Sequence, residues 1–213
     1  LFPYTTLFRS IREDQNIITP EVERLVEEIR DQHKNKIICF ALGRHVPYKG
    51  FEYLIEASKY LDDKYVVFIG SEGPLTEKLK EQAKGNDNVH FTGRLSPDEL
   101  KAYYQACDIF CFSSITKNEA YGLALCDALY YGKPAVTFTI EGSGVNFVSL
   151  NGVTGIEVPN RDSKAYADAI MKLGENAELR RQYGDNGKNR ANELFLYSKF
   201  QENINRLIGG ITD

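Results

Sequence analysis

Short apolar runs, each followed by a stretch of helical spacing, constrain the fold of this chain more than any other feature. The runs are KIICFALG (36–43), YVVFIG (65–70), VHFTG (89–93), DIFCFSS (108–114), PAVTFT (134–139) and GIEV (155–158). KIICFALG is continuously apolar and too short for a helix of ordinary length, so it reads as a strand covered on both faces, as in a parallel sheet. Between the runs lie GFEYLIEASKYL (50–61), PLTEKLKEQAK (74–84), SPDELKAYYQAC (96–107) and GLALCDALYYG (122–132), all helical in spacing. Strands alternating with helices of about a dozen residues imply right-handed crossovers. The expected fold class is therefore α/β: a doubly wound, Rossmann-like parallel sheet of six strands with helices on both faces.

Flanking segments complete the pattern. PEVERLVEEIRDQHK (20–34) carries Val22, Leu25, Val26 and Ile29 at helical spacing behind Pro20, and Ser96 with Glu99 forms a capping box. DSKAYADAIMKL (162–173) is a further helix, and past residue 175 the pattern is helical only. The last stretch is amphipathic, with Phe200, Ile204, Leu207 and Ile208 on one face. It packs either on this domain or across a partner domain.

Composition narrows the function classes. The 213 residues carry a net charge of −4, and residues 1–10 contribute only Arg9 to it, which gives no reason to expect nucleic acid. Cys39, Cys107, Cys111 and Cys126 all fall in apolar stretches and read as buried small hydrophobes in a reducing compartment. Cys107 and Cys111 form a C-x3-C pair without a second pair to complete a metal site. No run approaches the eighteen or so apolar residues of a membrane span.

Ligands of an open parallel sheet bind beyond the carboxyl ends of its strands, so the loops there are the candidate site. GRHVPYKG (43–50) places Arg44 and Lys49 at a helix entry, a good anion site able to neutralise a diphosphate. It is not a phosphate loop of the G-x-x-x-x-G-K-[ST] type, because Gly50 follows the lysine. GSEGPL (70–75) allows a tight turn with close backbone approach at Gly70 and Gly73. In ITKNEAYGLALCDA (115–128), Glu119 ends a loop, Gly122 opens a helix and Asp127 lies one to two turns inside it. The amides of Ala120 to Leu123 would lack intrahelical partners and point at whatever sits over the helix end. Side chains lean toward a helix N-terminus, so the Asp127 carboxylate can reach back and accept from two adjacent hydroxyls, as on a ribose. The long loop IEGSGVNFVSLNGVTG (140–155) either closes over a ligand or is a surface insertion.

Together GRHVPYKGFEYLIEA, FIGSEGPL, VHFTGRLSPDEL and NEAYGLALCDALYYGKPAV resemble the donor-binding half of retaining glycosyltransferases with the GT-B fold, in the group often called family 4. The resemblance covers Ile11 to Asp213 and implies the C-terminal domain, which holds a nucleotide-diphospho-sugar donor. By this resemblance Arg44 and Lys49 bind the diphosphate, Gly43 and Gly70 belong to the donor site, and backbone from Gly93 through Arg94 to Leu95 contacts the base. Glu119 contacts the sugar, and the amides of Ala120, Tyr121, Gly122 and Leu123 serve sugar and phosphate. Glu119, Arg44 and Lys49 are the catalytic set. The family's E-x7-E motif is E-x7-D here, and Asp127 is shorter than glutamate by one methylene, roughly 1.3–1.5 Å of reach. A small inward shift of helix or nucleotide would keep the ribose contact.

The resemblance further implies sugar transfer to an acceptor hydroxyl with retention, in surface polysaccharide or glycoconjugate synthesis, without metal or cofactor. It implies a cytoplasmic enzyme, with peripheral membrane association open to the intact protein. An epimerase on the same fold and a stand-alone nucleotide-sugar-binding module are the alternatives. The expected layout is a linker and helix over 11–35, the nucleotide-sugar-binding domain over 36–195 and a C-terminal helix over 196–213. The opening decapeptide LFPYTTLFRS resembles a translated adapter used in short-read sequencing, and residues 1–10 are read as artefact, with a native apolar arm as the alternative. An acceptor-binding domain is then expected upstream of Ile11, and the fragment alone is expected to be inactive in transfer.

Overall fold

The computed structural model describes residues 11–209. The expectation for residues 1–10 lies outside them, as do 210–213 and the side chains of Leu207 and Ile208. The six strands are β1 (Ile37–Leu42), β2 (Tyr65–Gly70), β3 (Val89–Gly93), β4 (Ile109–Phe112), β5 (Ala135–Phe138) and β6 (Gly155–Val158). All pair in parallel in the order β3-β2-β1-β4-β5-β6. The doubly wound α/β sheet expected from the apolar runs is the fold observed.

The helices are α1 (Pro20–Gln32), α2 (Phe51–Ser58), α3 (Thr76–Gln82), α4 (Pro97–Ala106), α5 (Leu123–Tyr130), α6 (Val145–Val148), α7 (Ser163–Gly174), α8 (Ala177–Leu194) and α9 (Tyr197–Gly209). Their starts are set by local chemistry. Thr19 caps α1 by accepting from the Val22 amide at 3.3 Å, with Pro20 at the first position. Ser96 and Glu99 form the expected capping box on α4: the Ser96 amide donates to the Glu99 carboxylate at 2.7 Å, and the Glu99 amide to the Ser96 hydroxyl at 3.3 Å. Helix α2 packs against α3 and α7, α1 packs against α4, and α5 packs against α8. Right-handed crossovers put the first and second groups on opposite faces of the sheet.

The strands are buried as a covered sheet requires. Ile38 through Ala41 are fully buried, and so is every residue of β2. The four cysteines are buried and unbridged, and burial pushes the Cys107 thiol up to about 12.

Two segments are tied to the core. In segment 11–35, which holds α1, Ile11 and Val22 are core residues, and Ile11 runs in parallel beside Leu196. The Ile11 amide donates to the Phe195 carbonyl and the Tyr197 amide to the Ile11 carbonyl, both at 2.9 Å. Loop 140–155 carries α6, which buries Val145 and Val148. On α9, Phe200 is half-buried and Ile204 exposed, so the whole apolar face is not packed on this domain. Among the described residues, no helix is long and apolar enough to cross a membrane.

The junction between β1 and β4 is where the sheet reverses its winding direction. It is also narrow, with registered pairs only at Cys39–Ile109 and Phe40–Phe110.

Candidate functional site

The loops after β1 and β4 leave the sheet on either side of that reversal, and a crevice opens between them. Lys49 ends a 3₁₀ turn over Pro47–Lys49, and Gly50 starts α2. The Ser113 hydroxyl donates to the Lys49 carbonyl at 2.9 Å and the Ile115 amide to the Tyr48 carbonyl at 2.9 Å, tying the two loops together. The Lys49 ammonium lies 5.1 Å from the Phe112 ring centroid and pairs directly with the Glu119 carboxylate. Both side chains are only 12% exposed, so the pair is shielded from bulk water and weakly screened. Glu119 also accepts from the Ser114 hydroxyl at 3.0 Å.

Gly122 follows with φ of +83°, and a Cβ there would stand 2.8 Å from the Phe112 ring. Only glycine turns the chain there at little cost. The helix starts at Leu123, one residue after Gly122, the residue expected to open it. Among the described residues no acceptor meets the amides of Ala120, Tyr121, Gly122 or Leu123, which leaves a run of donors at the start of the helix for a ligand to use. The loop is braced from behind by segment 140–148. Ser143 donates to the Glu119 carbonyl, and the Gly144 amide to the Ala120 carbonyl at 2.9 Å. Arg190 of α8 holds α6 through the Phe147 and Val148 carbonyls at 2.6 and 3.1 Å.

Asp127 lies on α5 in a cavity of about 290 Å³ with Leu123, Cys126, Leu100 and Tyr131. Its carboxylate has no hydrogen-bond or ion-pair partner among the described residues, and burial alone raises its pKa from 3.8 to about 7. It shares that cavity with Leu123, one turn earlier, and with Tyr131, one turn later.

On the other side of β1, a cleft of about 1040 Å³ is lined by Gly43, Arg44, Ser71 to Pro74, Thr76, Lys80, Arg94 and Leu95, among others. Leu100 lines both cavities, so they adjoin. Arg94 pairs with Glu72 at 3.4 Å, whereas Arg44 makes no ion pair among the described residues. Gly70 does not line this cleft: it closes β2, paired with Leu42 and Gly93, with Leu42 and Phe40 against it. Its place at the wall is taken by Ser71, which holds φ of +80°.

The arrangement thus sets exposed cations in a wide cleft, a run of amide donors at a helix start, and two acids in different states. Sequence reasoning reached Arg44, Lys49, Arg94, Glu119 and Asp127. It did not reach the wall residues Ser71, Thr76 and Lys80, nor the buried His45. The four-residue α6 is too short to show a period. Among the described residues no group of three or more metal-ligating side chains is gathered.

Comparison with known proteins places this geometry. Residues 23–190 match the family described as glycosyl transferases group 1. D-rhamnosyltransferase WbpZ of Pseudomonas aeruginosa is 31% identical over 206 residues, covering 91% of this chain and 53% of the relative. O-antigen chain mannosyltransferase C of Escherichia coli is 31% identical over 150 residues, covering 70% of this chain and 40% of the relative. The chain therefore spans about half the length of the curated relatives it matches. Among solved structures, Anabaena Alr3699/HepE in complex with UDP superposes with a TM-score of 0.82 at 18% identity, over 94% of this chain and 56% of that one. The C-terminal domain of the group 1 family protein LpcC from Francisella tularensis gives a TM-score of 0.71 at 18% identity, over 88% of this chain and 99% of that one. With four fifths of its length matched by the family, this chain belongs to the glycosyl transferases group 1.

Proposed function

We propose that this chain is the donor-binding domain of a retaining glycosyltransferase, which holds a nucleotide-diphospho-sugar while its sugar passes to an acceptor hydroxyl. The observation that carries the reading is the meeting of Lys49 and Glu119, from loops 70 residues apart, beside a helix start whose amides meet no acceptor among the described residues. Arg44 and Lys49 take the diphosphate, and as the glycosidic bond breaks they and the amides at the start of α5 stabilise the charge moving onto the leaving nucleoside diphosphate. Glu119 holds the donor sugar, and releasing Lys49 to the phosphate frees one of its oxygens for that contact. Asp127 accepts from the ribose hydroxyls, which would supply the partners its carboxylate lacks. The base lies along Arg94 and Leu95 in the wide cleft. The acceptor hydroxyl attacks from the face the leaving group departs, without a protein nucleophile.

The relatives' rhamnosyl and O-antigen mannosyl transfer favours surface polysaccharide or glycoconjugate synthesis. UDP and UDP-glucose complexes of the Anabaena protein favour a nucleotide sugar as donor. The match to nearly all of the LpcC C-terminal domain favours the C-terminal half of a two-domain enzyme, with acceptor binding in a preceding domain. We place the intact enzyme in the cytoplasm. Calorimetry of residues 11–213 with UDP, GDP and their sugar derivatives tests the reading. Binding that weakens in Arg44→Ala and Asp127→Ala is expected, without sugar transfer by this fragment. Affinity unchanged in Asp127→Ala for every nucleotide sugar removes the ribose role, and robust transfer by the fragment removes the two-domain reading.

A further inference from the structure

We propose that His45 is a positioning residue for the donor diphosphate: it fastens the Arg44 loop to the loop after β2, so that Arg44 and the Ser71–Pro74 wall meet one ligand as a unit. The proposal rests on the donor reading above.

His45 follows Arg44 directly and is fully buried. Both of its backbone groups are spent on the neighbouring loop. Its amide donates to the Glu72 carbonyl at 3.2 Å, and its carbonyl accepts from the Leu75 amide at 3.1 Å. Its ring continues the link, with Nδ1 sharing a hydrogen bond with the Thr76 hydroxyl at 2.8 Å. That hydroxyl also accepts from the Gly73 amide and donates to the Gly73 carbonyl, both at 2.9 Å. The loops are in backbone contact, since a Cβ on Gly73 would stand 2.6 Å from the His45 amide nitrogen and carbonyl oxygen. Phe51 and Phe91 hold the ring edge-on at centroid distances of 5.3 and 5.9 Å.

A purely architectural role would suit an apolar side chain better. The slot is aromatic, and Nε2 is buried without a hydrogen-bond partner, which disfavours the fold. Burial lowers the pKa of the ring. The Gly70 carbonyl and Glu72 act in the opposite direction, and Lys80 adds to the fall. What histidine adds to packing is one polar contact, and that contact organises the Gly73 turn in the wall facing Arg44. A buried polar ring that costs stability at such a place fits a residue that orients its neighbours.

The test compares nucleoside with nucleoside diphosphate. Calorimetry on the full chain measures uridine, UDP, guanosine and GDP against wild type, His45→Phe, Thr76→Val and the double variant, alongside urea unfolding of each. His45→Phe keeps the packing and removes the polar contact, so diphosphate affinity should fall about tenfold while nucleoside affinity holds. Thr76→Val should do the same, and the double variant should be no worse than either, because one link is cut twice. His45→Asn, which keeps a polar atom near the place of Nδ1, should recover part of the loss. An unchanged ratio of diphosphate to nucleoside affinity in both single variants overturns the proposal, and should His45→Phe fail to fold, Thr76→Val alone decides. If wild type binds none of these nucleotides, the donor reading fails and the ligand half of this proposal with it. Hydrogen exchange at Gly73 and Leu75 then reads the link by itself, and equal protection in wild type and Thr76→Val overturns that too.

Discussion

Glu119 and Asp127 stand eight residues apart around the start of α5, and their environments could hardly differ more. Glu119 is clasped by Lys49 and the Ser114 hydroxyl. Asp127 faces a cavity that Arg12, Asn16 and Lys101 line together with Leu100, Leu123 and Tyr131; its carboxylate makes no hydrogen bond or ion pair among the described residues, and burial raises its pKa to about 7. The first acid is already compensated and can be redirected by exchanging its counterion for a ligand. The second is uncompensated and favours any ligand that brings hydrogen-bond donors to it. A motif written as two acids at a fixed spacing thus covers two electrostatic states, one built by a lysine from another strand and the other by the absence of one.

Four substitutions would break or sharpen this contrast. Lys49→Ala has the largest expected effect: it strands the Glu119 carboxylate, at 12% exposure, without its cation, and should lower stability in urea unfolding by about 3 kcal/mol. Lys49→Met combined with Glu119→Gln should recover most of that loss, and no recovery would mean the pair is not what matters.

Asp127→Asn probes the other acid through pH. Because its pKa is raised on folding, the native state holds the proton more tightly than the unfolded chain between 3.8 and about 7. Stability from this group is full below 3.8 and falls as pH rises toward about 7; the full shift corresponds to about 4 kcal/mol, and discounted for the partial exposure of Asp127 the fall is roughly 2–3 kcal/mol in all. Unfolding free energies measured across that window should slope downward in wild type and lie flatter in the variant. Matching slopes would show that Asp127 is solvated after all.

Gly122→Ala tests the hinge between the two acids. With φ at +83° and Phe112 in the way, a loss of about 2 kcal/mol is expected, read as a drop in the thermal midpoint. Ser143→Ala, the mildest, removes one hydrogen bond to the Glu119 carbonyl. It should cost about 1 kcal/mol and loosen only the Glu119 side, visible as faster hydrogen exchange at Gly144 with Asp127 titration unmoved.

Much of the fold was legible because the apolar runs stop where the strands do. The expected bounds of β2, β3 and β6 coincide with those observed, and β1, β4 and β5 differ only at their ends. The capping box at Ser96 was readable because it is a local exchange of hydrogen bonds over four residues. The pairing of Lys49 with Glu119 was not, because it depends on β4 lying next to β1, and strand order is written in no local pattern. His45 looked like a loop residue for the same reason, since the rings that bury it, Phe51 and Phe91, belong to α2 and β3. Gly70 was read both as the end of a strand and as part of the turn after it; it closes β2, and Ser71 lines the cleft in its place.

The narrow pairing of β1 with β4 makes that line a seam across the sheet. Its ladder has the fewest registered pairs in the sheet, and polar contacts stand at both of its ends. At one end Arg30 grips Asp108 with two bonds of 3.0 and 3.1 Å while Asp108 accepts from the Ile38 amide at 2.8 Å. At the other stand Lys49 and Glu119. Salt should weaken the outer and more exposed Arg30 pair first, while the shielded Lys49–Glu119 pair holds. A ligand that draws Lys49 away would undo that fastener and take over its work, so that the loops on either side of the seam are held together by the compound bound between them.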